Sequence, residues 1–269
     1  MRKFRSHYHV VLGFLMKNIG IAGTQGNLST RAAVECLFML VTIVMTLTSC
    51  EHQPLPGKGP ITGKIIAAYG GRERLARIMS VAAEGRITAL IRRDEGTYKR
   101  AMRRNGKLFV DIIYTRSTER RILNGSKGYR GTGGQLEEVF GPRYLAMVYQ
   151  YDELNLPYGF LDNGFTVSEL RSDILNGAHV RVLKCTDRTG NDMEVFVSEE
   201  DYRIVKCIGT FPMGSHSTSL SSEFSDFRTV DGVLFPFRIV NYAGGDRIAE
   251  IVITRYLVNP TIDESLFTP

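Results

Sequence analysis

The chain has 269 residues, with 34 basic and 28 acidic side chains and four cysteines. That length permits one domain of generous size with a short extension. The formal charge of +6 does not argue for a nucleic-acid partner, because residues 1–50 hold five basic groups and one acid and so carry most of the excess. The sequence has no Cys-x-x-Cys pair and no Cys/His spacing suited to a metal, so neither a metal nor a cofactor is expected.

Arg31 heads an apolar run that ends at Leu47-Thr48-Ser49-Cys50. A charged flank followed by an apolar core is the pattern of a secretory signal. An aliphatic residue, two small residues and a cysteine at its end form a lipobox, whose cysteine receives diacylglycerol. Residues 1–49 are therefore expected to be a lipoprotein-type signal peptide, with Met16 or Met39 as alternative starts and Cys50 as the lipidation site. An uncleaved transmembrane helix is the competing reading. A span needs about 20 apolar residues, and this run is near the short end, with Glu35 close to its start. Residues 50–60 are polar and rich in Pro and Gly, which predicts a tether. Residues 61–269 then form the folded domain.

Within that domain, Ile61, Ile65, Ala68, Leu75, Ile78 and Met79 have helical spacing, and Gly70-Gly71 divides the stretch into two short helices. Period-two segments at 81–92, 97–104, 108–115, 120–124 and 127–130 predict strands, with turn signals at Asp94-Glu95-Gly96, Asn105-Gly106 and Asn124-Gly125. Pro142 suits a first helical turn. Tyr144, Leu145, Val148, Tyr151 and Leu154 fall on one broad face of a helix predicted over 142–156, which Pro157 and Gly159 terminate. A second series of strands follows at 165–170, 179–185, 193–198, 203–209, 217–229, 233–242 and 247–258. The class is mainly β with some α: a single curved antiparallel sheet or barrel. The last two strands are apolar on both faces and need cover on both.

Residues 84–130 carry 13 basic and 5 acidic groups, whereas 131–269 carry 11 and 20. Two readings stand: a surface for anionic headgroups or an acidic partner, and neighbouring strands that neutralise one another. Cys185 and Cys207 fall on the first and third strands of a meander, about 10 Å apart. That is too far for a bridge, so both are expected to be free structural thiols. His52, His179 and His216 are the only histidines beyond residue 50, and no GxSxG or HExxH pattern occurs. No catalytic residue is assigned and no enzyme is expected.

Tyr69-Gly70-Gly71-Arg72 leads into Glu84-Gly85-Arg86-Ile87. Near the other end stand Val230-Asp231-Gly232-Val233-Leu234-Phe235-Pro236, a Gly-Gly hairpin and Asn259-Pro260-Thr261-Ile262-Asp263. This pattern, covering most of 60–269, resembles the outer-membrane lipoprotein-sorting proteins of the LolA/LolB-like superfamily. The resemblance implies a curved, half-open antiparallel β-barrel of about eleven strands with short helices as lid or plug. It implies an outer-membrane lipoprotein, anchored through lipidated Cys50, whose monomeric domain faces the periplasm and binds an acyl chain or a lipoprotein. Glu51 after Cys50, where aspartate would signal retention, fits the outer membrane. The candidate cavity lining is Leu108, Val110, Ile112 and Tyr114 with Phe235, Phe237, Ile239, Ile251 and Ile253; the candidate lid is the helix bearing Tyr144, Leu145, Val148, Tyr151 and Leu154. The alternative is a non-transferring envelope sensor or assembly module on the same scaffold. A cavity open to solvent favours the carrier, and a core filled by its own aromatics favours the module.

Overall fold

The computed structural model describes residues 60–213 and 216–269. The expected signal peptide, Cys50 and the tether up to residue 59 lie outside the described residues.

Two short helices come first, α1 (Pro60–Ala68) and α2 (Arg72–Ala76). Pro60 stands in the first turn of α1, where proline is well accommodated. The link between the helices rests directly on the far end of the chain. Gly70 has φ +119°, and a Cβ there would lie 2.3 Å from the carbonyl oxygen of Gly232. Asp231 and Gly232 both have positive φ, 51° and 77°, as a two-residue type I′ hairpin turn requires. Leu234 N donates to Tyr69 O at 3.3 Å. The two sequence segments that carry the family resemblance therefore touch in space.

Six strands follow as a meander: β1 (Ser80–Ala89), β2 (Asp94–Arg103), β3 (Lys107–Tyr114), β4 (Thr118–Asn124), β5 (Lys127–Thr132) and β6 (Gln135–Val139). Helix α3 (Pro142–Gly159) interrupts them. A second meander completes the sheet: β7 (Phe165–Leu175), β8 (Ala178–Asp187), β9 (Asp192–Ser198), β10 (Ile204–Met213), β11 (His216–Val230), β12 (Val233–Ala243) and β13 (Asp246–Val258). A 3-10 turn, Glu264–Phe267, comes last and is capped by Asp263, which accepts from Ser265 N.

All thirteen strands form one antiparallel sheet in the order β6-β5-β4-β3-β2-β1-β13-β12-β11-β10-β9-β8-β7. Its first and last strands are joined at the centre, with Val81 opposite Val258 and Ile87 opposite Ile251. The edges, β6 and β7, are not paired with each other, so the barrel stays open. Helix α3 runs in sequence from one edge to the other and occupies the hollow. This is the half-open architecture the resemblance implies, with thirteen strands in place of about eleven. Both edges are polar or exposed, which discourages pairing with another chain.

Alternate residues of the strands, among them Leu108, Val110, Ile112, Phe235, Phe237, Ile239 and Ile251, pack with the three helices into the main core. The outer face carries two smaller clusters: Ala101, Phe109 and Ile122 beneath Ile262 and Phe267, and Val180, Val182 and Phe196. Tyr256 joins Ile251 and Ile253 in the main core, although strict alternation assigns it to the opposite face. The cause is a bulge: Gly85 opposes Ile253 while Glu84 opposes Arg255, which leaves Thr254 as an extra residue. Val252 accordingly points outward and is 45% exposed.

Cys185 on β8 and Cys207 on β10 are free and buried, and β9 lies between them. Burial pushes the Cys185 thiol up to about 12. Asn259 fastens the end of β13 to the start of β1. Its Oδ1 accepts from Met79 N at 2.7 Å and Ser80 N at 3.3 Å, and its Nδ2 donates to Arg77 O at 2.9 Å. Asn259→Ala removes all three bonds and is expected to lower the unfolding free energy by about 1–2 kcal/mol, read from urea denaturation.

Candidate ligand-binding cleft

Helix α3 does not fill the hollow. It leaves open space on either side of Glu153. The larger cleft, with room for about 400 Å³, lies between α3, strands β1–β5 and strands β11–β13. Its walls are apolar over Ile87, Tyr98, Ile112, Ile251 and Met147. The smaller space, with room for only about 50 Å³, lies beside Leu154, Pro157 and Tyr158, with Met102, Phe224 and Phe235 across from them.

One end of the larger cleft is cationic, with Arg92, Arg121 and Arg130 around Glu119, and Arg143 lines the same cleft from α3. The β4–β5 hairpin creates this grouping. Glu119 and Arg121 alternate onto one face of β4, and Arg130 is the direct cross-strand neighbour of Arg121. Glu119 is 3% exposed and holds the group together. Its Oε1 accepts from Arg121 Nη2 at 2.6 Å and from Arg130 Nη2 at 2.8 Å, and its Oε2 lies 3.7 Å from Arg92 Nη2. Burial alone would raise the Glu119 carboxyl, but Arg121 and Arg130 outweigh it and hold the group below the usual carboxylate range. Arg121 Nη1 also donates to Gln150 Oε1 at 3.2 Å, which ties α3 to the sheet.

Glu153 lines both spaces. Burial pushes its carboxyl up to about 7. Tyr149 and Ser222 face it, yet Glu153 Oε2 and Tyr149 Oη are buried and complete no hydrogen bond of good geometry. A carboxyl near neutrality in the middle of an apolar hollow is protonated or charged according to its surroundings, and it makes the interior less uniformly greasy than the strand pattern implies.

Of the candidate lining residues, Ile112, Tyr114 and Ile251 line the larger cleft, and Phe235 lines the smaller space. Leu108, Val110, Phe237, Ile239 and Ile253 share the same inner face but are closed into the core. The helix presents a different stripe to the larger cleft from the one its apolar residues define. Arg143, Ala146, Met147, Gln150 and Glu153 line that cleft. Leu154 lines the smaller space. Leu145 and Val148 pack against the main core. Tyr144 Oη donates to Gly125 O at 3.3 Å, and Tyr151 Oη donates to Arg104 O at 2.7 Å while accepting from Gly106 N at 3.1 Å. These two tyrosines tie the helix to the turns at the end of the β1–β6 half. The helix also continues past the expected stop to Gly159, because Pro157 falls in its last turn.

The fold and the cleft together define a half-open antiparallel sheet that wraps a helix around an internal, partly charged cleft. No protein-family model and no curated protein matches the sequence. Solved structures do. A DUF1329 family protein from Desulfovibrio piger is 9% identical with a TM-score of 0.50, covering 77% of this chain and 95% of that one. A LolA superfamily protein from Nitrosomonas europaea is 14% identical with a TM-score of 0.49, covering 78% and 96%. An outer membrane lipoprotein-sorting protein domain from Vibrio parahaemolyticus is 14% identical with a TM-score of 0.47, covering 77% and 96%. At these identities the likeness shows the fold alone.

Proposed function

We propose that this chain is a lipid-anchored envelope protein that binds an acyl chain, free or carried by a lipoprotein, in the cleft beside α3, and that it acts by binding and not by catalysis. The observation that carries this reading is the larger cleft itself. It opens to solvent, is walled by Ile87, Tyr98, Ile112, Met147 and Ile251, and lies inside a sheet whose edges do not close. It has room for about 400 Å³, within the about 300–1,000 Å³ that binding pockets typically enclose, so a drug- or lipid-sized group fits. His179, which could revive an enzymatic reading by meeting a carboxylate, is exposed on β8 and lines neither space.

Burial of an acyl chain contributes about 0.8 kcal/mol per CH₂. A membrane offers nearly the same apolar solvent, so release and uptake turn on small differences that polar contacts at the head of the chain can set. Anchoring through Cys50 at the outer membrane completes the proposal and rests on the lipobox sequence. The test is native mass spectrometry of the full chain expressed in a bacterium. Bound mass that is lost on denaturation and fragments as lipid is the expected result. A clean protein that also ignores added lipid would overturn the carrier and leave the sensor or assembly module.

A further inference from the structure

We propose that the arginine end of the larger cleft binds an anionic group, a phosphate or a carboxylate, at the head of an amphiphile whose chain lies along the apolar wall. The inference rests on the acyl-binding reading above and adds the chemical class of the ligand.

Charge balance carries it first. Four guanidinium groups line the cleft: Arg92, Arg121 and Arg130 gather on Glu119, and Arg143 enters from α3. The next acid lining the cleft is Glu153, whose carboxyl burial pushes up to about 7. A purely structural cluster of this kind would be stable if it were neutral. Instead, Arg121 and Arg130 face each other directly across the β4–β5 ladder, where like charges are unfavourable. The Arg130 guanidinium is pushed below its ordinary range, first by burial and then by Arg121 beside it. One more anion in the cleft relieves this crowding.

The second line is Arg143. It lines the cleft, and it makes no hydrogen bond or ion pair among the described residues. It also stands in the first turn of α3, which contains no acidic residue. A cation there opposes the helix dipole. An anion between Arg143 and the β4–β5 arginines would be held by both sides of the cleft at once. The third line is the wall. Ile112 on β3 is the direct cross-strand neighbour of Glu119, and Tyr98 on β2 and Ile251 on β13 extend the wall strand by strand from there, so an apolar strip adjoins the arginines. A free anion would use only the arginines, whereas an anionic amphiphile uses both.

The test compares three probes for their ability to displace a fluorescent neutral acyl probe from the full chain: dodecyl phosphate, dodecanol and inorganic phosphate. Charge-assisted bonds to a phosphate predict that dodecyl phosphate displaces the probe at a concentration about tenfold lower than dodecanol. That advantage is expected to shrink as salt is raised. Arg143→Gln is expected to narrow it severalfold and Arg143→Lys to restore it. Equal potency of the two dodecyl compounds in the wild-type chain would overturn the head-group site and leave acyl binding standing. Displacement by inorganic phosphate as effective as that by dodecyl phosphate would overturn the amphiphile in favour of a free-anion site. Failure of the fluorescent probe and of both dodecyl compounds to bind would sink the acyl reading and this site with it. The salt dependence needs no variant, so the proposal remains testable even if a substitution at Arg143 disturbs folding.

Discussion

Glu153→Gln is expected to stabilise the protein by about 3 kcal/mol at pH 8 and to change it little at pH 4. Burial raises the Glu153 carboxyl from 4.5 to about 7. An acid raised on folding binds its proton more tightly in the native state than in the unfolded chain. Its cost to stability is therefore absent below the unfolded value, grows between 4.5 and about 7, and is complete above that. Glutamine keeps the shape and carries no proton to lose, so the variant should lack this part of the pH dependence. Asp152, raised to about 8 by burial and then by the neighbouring Asp187, contributes a slope of the same sign in both proteins. The difference between wild type and variant, measured by urea denaturation across pH, isolates Glu153. Equal slopes would show that the carboxyl is solvated in the native protein.

Glu119→Gln is expected to have the opposite effect, a loss of about 2–3 kcal/mol near neutral pH and low ionic strength. The carboxylate is 3% exposed and accepts from Arg121 and Arg130, with Arg92 nearby. Glutamine leaves those guanidinium groups without their counter-charge. The arginines are partly exposed and can turn toward water, which keeps the loss below that of a sealed ion pair. The loss should shrink at about 1 M salt, where the Debye length is near 3 Å. Because the Glu119 carboxyl is lowered on folding, its contribution to wild-type stability is present above the unfolded value and disappears as pH falls through the folded one. Below that range the variant and the wild type should converge. A loss that ignores both salt and pH would point to packing as its cause.

Most of the sheet was legible because strand alternation and Gly-containing turns recur along the chain, and each hairpin sets its own register. Two parts were not. The strand Gln135–Val139 is polar and lies on an edge, so it has no alternation to read. The outer half of β7, up to Leu175, was equally hidden by exposure, although Asn176-Gly177, with φ of 51° and 83°, marks its turn. The face of Tyr256 depended on one inserted residue, Thr254, that no periodicity announces. The cationic end of the cleft was half legible. A two-residue turn after Asn124 would have placed Arg121 opposite Arg130, and the basic excess of 84–130 pointed the same way. Arg92 and Arg143 arrive from a distant turn and from the helix, and only the tertiary fold brings them to the cleft. On that helix, apolar residues mark the side that packs most tightly, whereas the side facing an open cleft mixes Met147 with Arg143, Gln150 and Glu153.

The seam between β1 and β13 has a consequence for how the chain reaches this state. Twelve strand pairings build the sheet, and eleven of them join strands that are neighbours in sequence or separated by nothing more than a turn. Such local hairpins form early, while contacts between distant residues wait on loop closure. The exception joins Val81 to Val258. During synthesis the first meander can assemble by itself, but its strand β1 keeps an open edge until nearly the whole chain has emerged. Completion of the sheet is then the late step of folding. Through that interval, β1 would be the most vulnerable strand to pairing with another chain.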